Sequence, residues 1–146
     1  MIYNKTSNLL EGLKILIIDD ELDSLFITRA LLEKHRATVI QTTSGAEGIE
    51  LALYKQPGLI LTDIAMPGTS GWDVLSELKE HPETRNIPNI ALTALVMTGD
   101  RDRAIKAGFH NFLSKPLVPE SFVYDMLNCV ADLPQFAEML KELENS

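Results

Sequence analysis

Five residues of this chain could do chemistry together: Asp19, Asp20, Asp63, Thr93 and Lys115. Each follows or ends a short apolar run. Ile15-Leu16-Ile17-Ile18 leads into Asp19-Asp20-Glu21, and Leu59-Ile60-Leu61 leads into Thr62-Asp63. Asn89-Ile90-Ala91-Leu92 leads into Thr93-Ala94, and Asn111-Phe112-Leu113-Ser114 into Lys115-Pro116. Short apolar runs punctuated by Pro and Gly read as buried strands. In an open parallel α/β sheet, ligands collect outside the carboxyl ends of the strands. One shared edge would hold three carboxylates, a hydroxyl and an ammonium. Carboxylates so close repel and share protons unless a cation intervenes. The set suits a divalent oxygen-ligand site, and Mg²⁺ is the hard, octahedral ion such a site takes. Taken singly, each residue has an ordinary reading. Asp19 or Asp20 caps a helix, Asp63 caps a Pro-Gly turn, Thr93 follows β-propensity, and Lys115 is a solvated surface lysine.

The elements that must position these residues follow from periodicity. Strands are expected at Lys14 to Ile18, Ala37 to Gln41, from Leu59, at Pro88 to Thr93 and at Phe109 to Ser114. The first helix runs from Leu22 to Lys34, with Leu22, Leu25 and Phe26 at core-facing spacing and Asp19, Asp20, Glu21 and Asp23 at its dipole-favoured start. Ser44 caps the second helix, Glu47 completes a capping box, and Ala46, Ile49 and Leu53 form its apolar stripe. Ser70 caps a third helix over Gly71 to Glu80, with Trp72, Leu75 and Leu78 apolar, ended by His81-Pro82-Glu83. A fourth spans Gly99 to Ala107, closed by Gly108. A fifth starts at Pro119 and turns Phe122, Met126, Cys129 and Val130 inward. Strand and helix alternate five times with short connections, which gives a parallel sheet with helices on both faces. Asp132-Leu133-Pro134 then breaks the chain. Phe136, Met139, Leu140 and Leu143 follow at i, i+3, i+4 and i+7, an amphipathic helix expected to dock on its own domain or on a second chain.

Bulk properties narrow the function. At 146 residues the chain suggests one domain, and 45% hydrophobic with 23% charged residues is ordinary for a soluble globular protein. A net charge of −8 opposes non-specific nucleic-acid binding and suits a cationic partner or a metal. The single cysteine, Cys129, excludes an internal disulfide and a Cys-based zinc site, and its apolar surroundings make it a buried thiol. No apolar run approaches the roughly 18 to 20 residues of a membrane span, and no signal peptide is expected. The expected location is the cytoplasm.

The ordered set Asp19-Asp20, then Asp63 with Met66-Pro67 three residues on, then Thr93-Ala94, then Lys115-Pro116 resembles the response-regulator receiver domain. The resemblance covers roughly residues 13 to 131. It implies a flavodoxin-like, doubly wound five-stranded parallel sheet of order 2-1-3-4-5. The polar, patternless residues 1–12 read as a partly mobile lead-in, and the helical extension over 132–146 departs from the family, whose members usually finish near helix five. The resemblance also implies that Asp63 accepts a phosphoryl group from the phosphohistidine of a histidine kinase or phosphotransfer protein. Mg²⁺, with Mn²⁺ as a substitute, would be held by Asp20, Asp63 and the Ala65 carbonyl, with Asp19 acting through water. Lys115 would neutralise the transferring group, its bond to Pro116 being cis. Thr93 would read the event out, and Phe112 takes the place of a switch aromatic without the outward hydroxyl of a tyrosine. Ala65 offers no side chain to steer hydrolysis of the acyl phosphate, Leu95 could shield it, and Thr69 replaces a larger apolar residue.

The resulting expectation is a stand-alone response regulator, self-phosphorylating and self-dephosphorylating rather than a turnover enzyme. Its switched surface, helix four, strand five and helix five, would control a downstream protein target. It would have no DNA partner and no membrane insertion, and a homodimer stays open. Three alternatives stand beside it: a receiver cut from a hybrid kinase, a vestigial binding module without phosphorylation, and an aspartate-nucleophile phosphatase. The last wants a second acid where this chain has Ala65.

Overall fold

The computed structural model describes residues 8–94 and 99–145. Within them the chain forms β1 (Lys14–Ile18), α1 (Leu22–Lys34), β2 (Thr38–Thr42), α2 (Gly45–Lys55), β3 (Leu59–Asp63), α3 (Gly71–Glu80), β4 (Asn89–Thr93), α4 (Asp100–Ala107), β5 (Asn111–Ser114), α5 (Phe122–Cys129) and α6 (Pro134–Glu144). The five strands make one parallel sheet of order β2-β1-β3-β4-β5. The register sets Ile18 beside Thr62, Asp63 beside Leu92, and Thr93 beside Ser114. Asp19 and Lys115, each one residue past its strand, therefore share an edge with Asp63 and Thr93.

Alternate strand residues feed the two faces. Ile15, Ile17, Leu59, Leu61, Ile90 and Leu92 point to α1, α5 and α6 and join one large apolar cluster. Leu16, Ile18 and Ile60 meet α2 and α3, while Ala91 meets Ala104 of α4 and Phe109. On this second face the helices come close because small residues line them. A Cβ on Gly48 would lie 2.5 Å from Ile18 Cδ1.

That closeness explains a correction. The fully buried residues of α2 are Gly45, Gly48 and Ala52, so the helix turns its smallest side chains to the sheet; of the expected stripe, Ile49 packs half-buried against this cluster, Leu53 is half-buried and Ala46 is exposed. Ser44 accepts from the Glu47 N–H as expected, but the reciprocal capping box belongs to Ser70 and Asp73 at α3. A second correction concerns α1. Leu25 is buried, yet Leu22 is 72% and Phe26 76% exposed. The buried positions Leu25, Thr28 and Leu32 define a narrower stripe than the sequence pattern suggests. A third concerns α5, which begins at Phe122, after a turn that contains Pro119. Its inner residues Phe122, Met126, Cys129 and Val130 are buried, and burial pushes the Cys129 thiol up to about 11.

The described part of the lead-in is not peripheral. Leu9 and Leu10 belong to the large cluster, and the Leu10 N–H donates to the His35 carbonyl. At the other end α6 packs on α5 through Phe136 and Leu140. Pro134 at its first turn ends the preceding backbone and starts this helix.

Candidate functional site

The Lys115–Pro116 peptide is cis, and the Lys115 N–H donates to the Thr93 carbonyl at 2.8 Å. This fixes the start of the Lys115 side chain beside β4. Its ammonium then crosses to the ends of β3 and β1. Lys115 Nζ donates to Asp63 Oδ2 at 3.1 Å and to Glu21 Oε1 at 2.6 Å. Asp19 Oδ2 lies 2.8 Å from the same nitrogen, close enough for charge pairing but off the direction of a hydrogen bond. The other Asp19 oxygen, Oδ1, accepts from the Glu21 N–H at 3.0 Å. Asp63 Oδ1 accepts from the Ala65 N–H at 3.0 Å, which turns the chain out of β3. The turn is tight: Gly71 sits so close that a Cβ there would lie 2.5 Å from the Asp63 carbonyl oxygen.

Burial grades the acids. Asp19 and Asp63 are buried, Asp20 is more accessible than either, and Ala65 is exposed. Burial raises the Asp63 pKa most. Lys115 opposes it, the Asp19 charge reinforces it, and the net result is a rise from 3.8 to about 6. For Lys115, burial pulls downward, but the close carboxylates of Asp19, Glu21 and Asp63 outweigh it and push its pKa up. The ammonium thus stays charged wherever the carboxylates are.

A cation fits this site. Asp19, Asp20 and Asp63 each offer an oxygen, all within 4.8 Å of one another. Asp19 Oδ2 is a buried carboxylate oxygen that accepts no hydrogen bond among the described residues. Carboxylates at this spacing with room for water suit a small hard ion.

Of the residues singled out in the sequence, Asp19, Asp20, Asp63, Ala65 and Lys115 come together. Thr93 is buried at the adjoining end of β4, and Phe112 is half-buried against the α3–α4 side of the sheet. Leu95 lies outside the described residues. Glu21 was missed as a site residue, being read only as a favourable acid at a helix start. The available signal was the third acid in an unbroken Asp-Asp-Glu run, one more than helix capping requires.

A 2-1-3-4-5 parallel sheet with an acidic cluster and one lysine gathered at its carboxyl edge is the arrangement of a two-component signalling receiver. The comparisons agree. The family described as the response regulator receiver domain matches residues 15–126, and the chain belongs to that family. It is 36% identical over 118 residues to the polar-differentiation response regulator DivK of Brucella ovis, covering 81% of this chain and 96% of that one. A putative response regulator from Chloroflexus aurantiacus superposes with a TM-score of 0.75 at 26% identity, over 83% of this chain and 99% of that one. The receiver domain of a sensor histidine kinase from Pseudomonas aeruginosa, solved with a magnesium ion in its active-site cleft, superposes with a TM-score of 0.73 at 25% identity, over 82% and 98%. Among the described residues no helix is long and apolar enough to cross a membrane.

Proposed function

We propose that this protein is a stand-alone, cytoplasmic response regulator that accepts a phosphoryl group on Asp63 from a phosphohistidine of a histidine kinase or phosphotransfer protein. One observation carries the reading: the Asp63 carboxylate sits at the strand edge within 3.1 Å of a buried ammonium and beside two further aspartates. An Asp63 oxygen would form the new P–O bond as the P–N bond of the donor breaks, the electron pair staying on the imidazole nitrogen. Asp20, Asp63 and the Ala65 carbonyl would hold Mg²⁺, or Mn²⁺ in its place, with Asp19 acting through water. When bound, the ion supplies positive charge to the phosphoryl oxygens. Lys115 supplies the rest and orients the attacked group.

Thr93 reads out the product. Its side chain adjoins the acidic edge, and a hydroxyl there would hydrogen-bond a phosphoryl oxygen. Phe112 and the surface of α4, β5 and α5 answer the added charge of roughly −1.5 to −2. The donor's docking surface is supported by Leu22, Phe26 and Ile27, 72%, 76% and 44% exposed at the start of α1, beside the opening of the site. The net charge of −8 sets the downstream partner among proteins rather than nucleic acids.

The free-standing reading is supported by DivK, 96% of which is covered by the match. The alternative, a receiver of a hybrid kinase, is favoured by the likeness to the Pseudomonas sensor-kinase receiver.

The test is incubation with Mg²⁺ and acetyl phosphate, followed by intact mass and Trp72 fluorescence, with Asp63→Ala alongside. One hydroxylamine-labile phosphate on the wild type and none on the variant is the expected result. No labelling by acetyl phosphate or by any histidine-kinase donor would sink the proposal and favour a vestigial binding module. Steady turnover of a small phosphoester would favour a phosphatase instead.

A further inference from the structure

Lys115 Nζ carries three hydrogens, and three carboxylates crowd it: Glu21 at 2.6 Å, Asp19 at 2.8 Å and Asp63 at 3.1 Å. Two of the hydrogens go to Glu21 and Asp63, while Asp19 pairs with the ammonium by charge. A phosphoryl oxygen arriving at Asp63 competes with all three carboxylates for this one ammonium, and the one that loses least by leaving yields. The three are not alike. The Glu21 side chain is 62% exposed, against 1% for Asp19 and 6% for Asp63. An exposed carboxylate regains water when its partner leaves, whereas a buried one is left uncompensated. Glu21 is the group that lets go.

The local backbone prepares it for this. Glu21 occupies the N-cap position of α1, yet its side chain makes no capping hydrogen bond. Its N–H is held by Asp19 Oδ1, while the side chain reaches across to Lys115. Two cavities meet at this ion pair. One, about 310 Å³, is lined by Asp20, Asp63 and Ala65. The other, about 350 Å³, is lined by Ile27, Pro116 and Leu117 and is mainly apolar. Glu21, Ala94 and Lys115 line both, so the Glu21–Lys115 contact stands in the wall between them.

We propose that Glu21 is a positioning residue that holds Lys115 before transfer, yields its hydrogen bond to a phosphoryl oxygen on Asp63, and in leaving opens the acidic cavity to the apolar one under α1. This rests on the phosphoacceptor reading of Asp63 and deepens it: the α1 entrance differs between the free and the phosphorylated protein.

The probe is beryllofluoride with Mg²⁺, a stable phosphoryl mimic, titrated calorimetrically into the full chain. Glu21→Ala should bind it about 2–5-fold more tightly than wild type, the range an exposed ion pair covers. Glu21→Gln, which keeps a weak acceptor, should fall between the two. Asp23→Asn removes the same charge two residues away and should bind as wild type does. The Lys115 ammonium resonance, followed without any phosphoryl mimic, should move in both Glu21 variants and stay in place in Asp23→Asn. Glu21→Ala binding no more tightly than Asp23→Asn overturns the inference, as does an unmoved Lys115 resonance. No beryllofluoride binding by wild type, with the resonance moving as expected, overturns the phosphoacceptor reading and takes this inference with it.

Discussion

The seam between α5 and α6 and the acidic edge of the sheet are both buried, and burial means opposite things in them. In the seam, Phe136, Met126 and Val130 are fully shielded, and Leu140 nearly so, within a cluster that continues to Leu9 and Leu10. Each apolar surface removed from water there favours folding, at roughly 25 cal/mol per Å². At the edge, Asp19 and Asp63 are shielded to the same degree, but what they lose is hydration of a charge. Lys115 offsets that cost only in part, as the rise of the Asp63 pKa to about 6 records. The fold gains stability at one end of the α5 layer and holds a conditional loss at the other. A cation held there would relieve that loss and so tie metal binding to stability.

The comparison breaks first at Phe136. Phe136→Ala should cost about 3–5 kcal/mol in urea unfolding, because the side chain is fully buried within the large apolar cluster. Glu138→Ala on the exposed side of the same helix should change little. A loss below about 1 kcal/mol for Phe136→Ala would make α6 an appendage rather than part of the core.

The opposite sign is expected at the edge. The folded state holds the Asp63 proton up to about pH 6, whereas the unfolded chain releases it near 3.8. Folding is therefore opposed by nothing at this residue below about pH 4, increasingly so as pH rises, and fully above pH 6. Without metal, Asp63→Asn should stabilise the protein by about 1–3 kcal/mol at pH 7.5 and by almost nothing at pH 4. Mg²⁺ should stabilise wild type more than the variant. Equal stability of the two proteins at pH 7.5 would mean that Lys115 compensates Asp63 in full.

The sequence carried most of this comparison, and what it missed has a common cause. Strand positions were legible because strands buried on both faces read as unbroken apolar runs, as in Leu59-Ile60-Leu61. The edge was legible because Asp, Thr and Lys at strand ends have no packing reason to be there. The phase of helices was less legible. In α2 the buried face is Gly45, Gly48 and Ala52, and a hydrophobicity pattern cannot see glycine chosen for closeness to Ile18. In α1 Leu22 and Phe26 match a core stripe yet face solvent, since a hydrophobicity pattern cannot tell an exposed apolar side chain from a buried one. Leu9 and Leu10 were hidden by their polar neighbours, and Glu21 by the helix-dipole argument that explained it too easily. Its contact with Lys115 spans 94 residues of chain, a separation no local pattern encodes.

The smallest effect tests whether the two regions are joined. His110 Nε2 lies 2.7 Å from Asp132 Oδ1, tying the residue before β5 to the connection between α5 and α6. The hydrogen bond from His110 is the main influence on Asp132 and holds its carboxyl below the ordinary carboxylate range. A carboxylate with a lowered folded pKa stabilises the fold above its unfolded value near 3.8, and that contribution is lost as pH falls through the folded value. Asp132 is 66% exposed, so water screens the pair and Asp132→Asn should cost under about 1 kcal/mol at neutral pH. Beryllofluoride affinity should stay as in wild type, because the tie ends two residues short of Phe112 and makes no contact with the acidic edge. If Asp132→Asn weakened that affinity several-fold while stability barely moved, the seam and the site would be coupled through β5, and the division drawn between a stabilising end and a responsive end would fail.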